Sequence, residues 1–149
     1  MRVAIGADHN GLELKNIIIE FLKGKNVEYE DLGTKTSAPV DYPDIAKKVA
    51  EAVAQGRFSR GILICGTGLG MDIAANKVRG IRATVCHDLY SAERSRKSNN
   101  AQIMTMGAQI IGPELAKKLV EVWLNSEFEG GRSAPKVRKI MEIEKENFS

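Results

Sequence analysis

Aromatic residues, cysteines and long apolar runs are all scarce in this sequence. Phe, Trp and Tyr make up 5% of the chain, which leaves little to stack on nucleobases. The formal charge of +3, from 22 Lys and Arg against 19 Asp and Glu, falls short of the basic stripe that nucleic acid demands. Nothing approaches the ~18 uninterrupted apolar residues of a membrane span. The opening Met1-Arg2-Val3-Ala4-Ile5-Gly6-Ala7-Asp8 has too short an apolar stretch, ended by an acid, for a secretory signal. These absences point to a cytoplasmic protein with no membrane and no nucleic-acid partner. Cys65 and Cys86, the two cysteines, are then expected as thiols rather than a disulfide, and are too few for the usual zinc cluster.

The rest of the composition supports a folded domain. Hydrophobic residues are 43% of 149, enough for a core, and at roughly 100–200 residues per domain the chain is a single domain over 1–149. Glycine is in excess: 14 residues, where average usage of ~7% predicts about ten.

Short β-branched runs alternate with helical stretches. Strands are expected over 3–7, 27–32, 61–65, 81–86 and 103–106. Helices are expected over 12–23, with Leu14, Ile17, Ile18, Phe21 and Leu22 as the apolar stripe, and over 43–55, 70–77, 91–97, 113–125 and 134–146. The run Gly61-Ile62-Leu63-Ile64-Cys65 is apolar throughout, as in a strand buried on both faces of a parallel sheet. The pattern predicts an α/β fold of Rossmann-like, three-layer form around a five-stranded parallel sheet. Ligands in such folds bind outside the carboxyl ends of the strands. Those ends carry Asp8-His9, Cys65 and Cys86-His87-Asp88, which include both cysteines and both histidines.

The densest glycine cluster follows Cys65: Gly66-Thr67-Gly68-Leu69-Gly70. Alternate glycines let successive N–H groups converge on an anion, and a helix N-terminus adds partial positive charge. The turn fits none of several named motifs. It lacks the lysine of a P-loop, and Met71 stands where a dinucleotide fingerprint needs glycine and where a Cys-x5-Arg phosphatase loop needs arginine. What remains is a cysteine beside an anion-binding turn, where a helix N-terminus favours the thiolate as nucleophile or general base. A packing cysteine before a structural turn is the competing reading. Asp8 can serve a ligand or cap the next helix. Arg132 and Lys136, four apart after Gly130-Gly131, can clamp a phosphate or form an ordinary charged helix face.

Together these segments resemble the type B ribose-5-phosphate isomerases and the galactose-6-phosphate isomerase subunits. The resemblance runs through Ile5-Gly6-Ala7-Asp8-His9, Asp41-Tyr42-Pro43, 61–70, Ile73-Ala74-Ala75-Asn76-Lys77, Gly80-Ile81-Arg82, Asn99-Asn100 and Glu129-Gly130-Gly131-Arg132. It implies an aldose–ketose isomerase that needs no metal or cofactor, works as a homodimer or tetramer, and builds its active site from two subunits. Cys65 then moves a proton between C2 and C1 through a cis-enediolate, and the turn of Gly66, Gly68, Leu69 and Gly70 holds the enediolate oxygen. Thr67 assists the hydroxyl protons. Asp8 binds sugar hydroxyls or helps to open the ring, Tyr42 covers the sugar, Asn99 comes from the partner, and His9, Arg132 and Lys136 hold the phosphate. Ser98 stands where many members carry a histidine credited with ring opening. Gln109 stands where some members carry arginine, and Lys136 replaces a frequent arginine. A looser phosphate grip and a roomier site near Ser98 then suggest tolerance for six-carbon or unphosphorylated aldoses. A non-catalytic phosphate- or nucleotide-binding module and a galactose-6-phosphate isomerase subunit are the alternatives.

Overall fold

The computed structural model describes residues 1–148. Strand β3 (Arg60–Cys65) is buried at every position, as an apolar run with no alternation requires. It lies in the middle of one parallel sheet with β1 (Arg2–Ala7), β2 (Glu28–Asp31), β4 (Ala83–Val85) and β5 (Ile103–Gly107), in the order β2-β1-β3-β5-β4. The crossovers use helices α1 (Leu12–Gly24), α2 (Tyr42–Ala54), α3 (Leu69–Ala75) and α4 (Leu89–Lys97). Helices α5 (Pro113–Leu124) and α6 (Ala134–Asn147) follow β5. Right-handed crossovers dictate the layers. The connections β1 to β2 and β4 to β5 run one way across the sheet, while β2 to β3 and β3 to β4 run the other way. Accordingly Ile18, Leu22, Ala92, Leu119 and Trp123 pack one face, and Ile45, Val49, Val53, Met71 and Ala75 pack the opposite face. This is the expected three-layer, Rossmann-like architecture. No helix among the described residues is long and apolar enough to cross a membrane.

Several local expectations shift. The buried stripe of α1 is Leu14, Lys15, Ile18, Ile19 and Leu22, so Ile17 and Phe21 sit at its margin and a lysine lies in the core. Strand β4 is only three residues long. It is the outer strand of the sheet, and side chains take up its free edge. Asn76 Oδ1 accepts from Ala83 N at 2.8 Å, its Nδ2 donates to the Ala83 carbonyl at 2.8 Å, and Asp72 Oδ2 accepts from Val85 N at 2.8 Å. The edge is thereby closed to a further strand.

Two buried arginines secure the far end of α5. The Arg60 guanidinium donates to the carbonyls of Trp123 and Ser126 and to Glu127 Oε1. Burial, aided by the nearby Arg96 charge, lowers its pKa to about 10 against the opposing pull of Glu127. Arg96 Nε donates to the Ser126 carbonyl at 3.4 Å. Cations at these carbonyls complement the negative end of the helix.

Candidate active site

The strand order reverses direction beside β1. That places a crevice at the carboxyl ends of β1 and β3, where open α/β sheets bind ligands. Ala7 is in register with Ile64, and Asp8 N donates to the Ile64 carbonyl at 3.3 Å. Asp8 therefore stands beside Cys65 at the same edge. Asp8 is 4% exposed, and its Oδ1 accepts from the amides of Asn10 and Gly11 at 3.0 and 3.1 Å. It thus fixes the turn that precedes α1 and does not cap the helix itself, whose N-cap is Gly11.

The segment joining β2 to α2 folds over this edge. Thr34 N donates to the Ala7 carbonyl at 3.1 Å, and Val40 N donates to His9 Nδ1 at 3.1 Å. The second contact assigns the imidazole its tautomer: with Nδ1 accepting, the proton sits on Nε2, which is free to donate. Lys15, missed by sequence reasoning, anchors the segment from below. It is fully buried and donates to Asp31 Oδ2 at 2.7 Å and to the Thr34 carbonyl. Tyr42, at the start of α2, lays its ring against Gly70 so closely that a β-carbon there would overlap it.

The glycine turn wraps around the Cys65 sulfur. Cys65 is 5% exposed, and Gly68 N donates to its Sγ at 3.2 Å. A backbone donor at sulfur complements negative charge there. Gly68 precedes α3 with φ +79°, a left-handed conformation that favours glycine. The turn rests on β5. Thr105 Oγ1 donates to the Gly68 carbonyl at 2.8 Å, and Ala108 N and Gln109 N donate to the carbonyls of Cys65 and Gly66, both at 2.9 Å. Gly107 packs directly under Thr67 and is itself held by His87, whose Nε2 accepts from Gly107 N at 2.9 Å. Thr105, Gly107 and His87 carry no motif; only the register of β5 against β3 exposes their role. Thr67 and Leu69 stay exposed at the rim.

Gly6, in contrast, belongs to packing rather than to a ligand-facing turn. A β-carbon there would come within 2.8 Å of Ile45 and 3.1 Å of Val49, so its absence lets α2 approach the sheet. Cys86 is 1% exposed, and burial pushes its thiol up from the ordinary range. It plays no part in the crevice.

The other predicted residues lie elsewhere. Helix α4 begins at the carboxyl end of β4 and returns the chain to the amino end of β5, roughly 13 Å away for nine residues at ~1.5 Å each. Ser98 and Asn99 therefore sit at the amino edge of the sheet, with Ser98 Oγ accepting from Arg94 Nε at 2.9 Å. Arg132, in a 3-10 turn over Gly131–Ser133, and Lys136, on α6, are exposed. The backbone ties this region to α4 through Glu129 N, which donates to the Lys97 carbonyl at 3.1 Å. The predicted residues thus fall into two groups. Asp8, His9, Tyr42, Cys65, Gly66, Thr67, Gly68, Leu69 and Gly70 gather at one edge, and Ser98, Asn99, Arg132 and Lys136 at the other.

The sequence profile of the Ribose/Galactose Isomerase family matches residues 3–140. The chain belongs to that family. Among its relatives is "Ribose-5-P isomerase B" of Listeria innocua, 56% identical over 99% of both proteins. "D-erythrulose-4-phosphate isomerase" of Pectobacterium atrosepticum is 54% identical over 94% of this chain and 93% of that protein. The structure of Clostridium thermocellum ribose-5-phosphate isomerase B superposes with a TM-score of 0.96 at 53% identity, covering 98% of this chain and 99% of that one. Within this isomerase family, the carboxyl-edge crevice offers a sulfur beside amide donors, a buried carboxylate and an imidazole with a free N–H.

Proposed function

We propose that the protein interconverts an aldose phosphate and its 2-ketose phosphate, with the pair ribose 5-phosphate and ribulose 5-phosphate as reference substrates. The observation that carries this reading is the Cys65 sulfur held against the glycine turn by Gly68 N at 3.2 Å. Cys65, as thiolate, takes the proton from C2 of the open-chain aldose. The electron pair moves into a C1–C2 double bond, and the aldehyde oxygen becomes the enediolate oxygen. The N–H groups of the 66–70 turn face that oxygen and stabilise the charge that develops on it. Thr67 moves the proton between O2 and O1. The cysteine thiol then returns its proton to C1 and regenerates the thiolate, so no electron acceptor is consumed. Asp8 accepts hydrogen bonds from sugar hydroxyls, and Tyr42 covers the sugar.

Two copies complete the site. Ser98, Asn99, Arg132 and Lys136 are too far from Cys65 to serve it within one chain, but an isologous dimer brings them to the partner's crevice. Exposed apolar side chains support such pairing: Leu69 and Ile73 on α3, Leu89 and Tyr90 on α4, and Ile140 and Ile143 on α6 are all more than 40% exposed. Arg132 and Lys136 then hold the phosphate with His9 Nε2–H. The test is turnover in D2O. Solvent deuterium should enter the ketose at C1, as proton transfer through Cys65 requires. Complete retention of the substrate hydrogen, the mark of a direct hydride shift, would refute this chemistry.

A further inference from the structure

Asn99 and Arg132 are distant in sequence, yet in the two-subunit reading both must reach the same crevice of the partner. Each sits on irregular backbone. Asn99 lies in the turn after α4, where Asn100 takes a left-handed φ of +49°. Arg132 follows Gly130 and Gly131, both of positive φ. Site groups on such segments are precise only when surrounding packing and hydrogen bonds hold them.

One buried side chain grips both segments. Arg96, on the last turn of α4, is 7% exposed. Its Nη1 donates to the Ala101 carbonyl at 2.8 Å and to Asn100 Oδ1 at 3.3 Å. Its Nε donates to the Ser126 carbonyl at 3.4 Å, and its Nη2 lies 3.6 Å from Glu127 Oε2. One guanidinium nitrogen therefore holds the turn that carries Asn99, and the other two hold the segment that leads to Arg132. A backbone tether runs alongside, from Glu129 N to the Lys97 carbonyl at 3.1 Å. Holding the end of α5 does not require this residue. Arg60 already donates to the carbonyls of Trp123 and Ser126 and to Glu127. A second buried guanidinium beside the first brings desolvation and like-charge repulsion. What Arg96 adds is the link from the 126–127 segment to Asn100 and Ala101.

We infer that Arg96 is a positioning residue of the isomerase site: it fixes the turn bearing Asn99 against the segment bearing Arg132, so that both are presented together to the partner's crevice. The inference rests on the two-subunit isomerase reading and adds to it a residue that touches no substrate. A planar fork suits this bridge. Lysine keeps the charge but offers a single nitrogen, which cannot span both segments.

The test is Arg96→Lys in the purified full chain, alone and after subunit exchange. Alone, a shift of the two segments by about 1 Å should lower kcat/KM for ribose 5-phosphate by roughly 100-fold. Exchange then locates the defect. Mixed with Cys65→Ala, the Arg96→Lys chain supplies an intact crevice and the other chain an intact Asn99 and Arg132, so about a quarter of wild-type activity should return. Mixed with Arg132→Ala, neither chain supplies a competent second group, and no activity should return. A general folding defect would damage the Arg96→Lys chain's own crevice and abolish recovery in the first mixture. Wild-type kcat/KM in Arg96→Lys overturns the inference. So does recovery with Arg132→Ala, or no recovery with Cys65→Ala while Arg132→Ala does recover with it. If Arg132→Ala also fails to recover with Cys65→Ala, the two-subunit reading falls and this inference with it. Where Arg96→Lys gives no folded dimer, Asn100→Gly takes its place. Glycine accepts the left-handed φ and deletes one partner of the guanidinium. That chain should unfold near the wild-type temperature and lose roughly threefold or more in kcat/KM, the scale of one hydrogen bond; unchanged kcat/KM overturns the inference.

Discussion

Replacing Gly107 by alanine tests whether β5 sets the position of the glycine turn. The added β-carbon would lie 2.5 Å from Thr67 C, 2.6 Å from its Cα and 2.7 Å from its O. All three are backbone atoms, so no side chain can swing aside. Ordinary contact needs ~3.4–4 Å, so the Thr67 segment must retreat by about 1 Å, at an overpacking cost of ~1–3 kcal/mol. The φ of Gly107 is not in the left-handed region, so the substitution adds crowding without backbone strain. A ~1 Å misplacement of reacting groups costs on the order of 100-fold in rate, about 2.7 kcal/mol of barrier. The assay pairs thermal unfolding with initial rates of aldose–ketose conversion. Gly107→Ala should lose a few degrees in Tm and roughly 100-fold in kcat/KM. Gly24→Ala, with nothing within 4 Å of the new carbon, should keep full activity. Wild-type kcat/KM in Gly107→Ala would refute the claim that β5 positions the turn.

Further outcomes follow from the same geometry. Lys15→Met leaves Asp31 and the Thr34 carbonyl without their buried cation, and should cost about 3–5 kcal/mol in denaturant unfolding; a loss below 1 kcal/mol would contradict the assigned role. Burial holds His87 below its usual range despite the opposing pull of Asp88, so the neutral ring is the folded form. Stability from this contact should be fully present above about pH 6.5 and fall as pH drops through the lowered folded-state value. His87→Gln should flatten that part of the stability–pH curve. Mixing Cys65→Ala with Arg132→Ala, each nearly inactive alone, should restore about a quarter of wild-type activity, because half the dimers are mixed and one of their two sites is intact. No recovery after subunit exchange would exclude a shared site.

Much of this was legible from the order of residues. The apolar run ending at Cys65 and the glycines after it located the crevice, because only a strand buried on both faces is apolar throughout and only an unusual turn needs alternate glycines. The family resemblance assigned a role to residues that pattern alone left ambiguous, Arg132 above all, and the subunit-mixing experiment tests that role. Lys15 was missed because a charged residue on the stripe of α1 reads as a boundary until its partners, Asp31 and the Thr34 carbonyl, are brought over it by a distant segment. The packing role of Gly6 is hidden for the converse reason: its neighbours Ile45 and Val49 come from a helix some forty residues later. The separation of Ser98 and Asn99 from Cys65 depends on chain direction. A helix after a parallel strand must run back, so Ser98 could not share an edge with Cys65, and linear spacing gives no hint of that.

The most direct test of the catalytic assignment is Cys65→Ala, measured for both turnover and binding of the sugar phosphate. The crevice, the turn amides, Arg132 and Lys136 all survive that change. Turnover should fall by at least 1,000-fold while the Kd stays within a few-fold of wild type. Turnover within tenfold of wild type would contradict the assignment of Cys65 as the base.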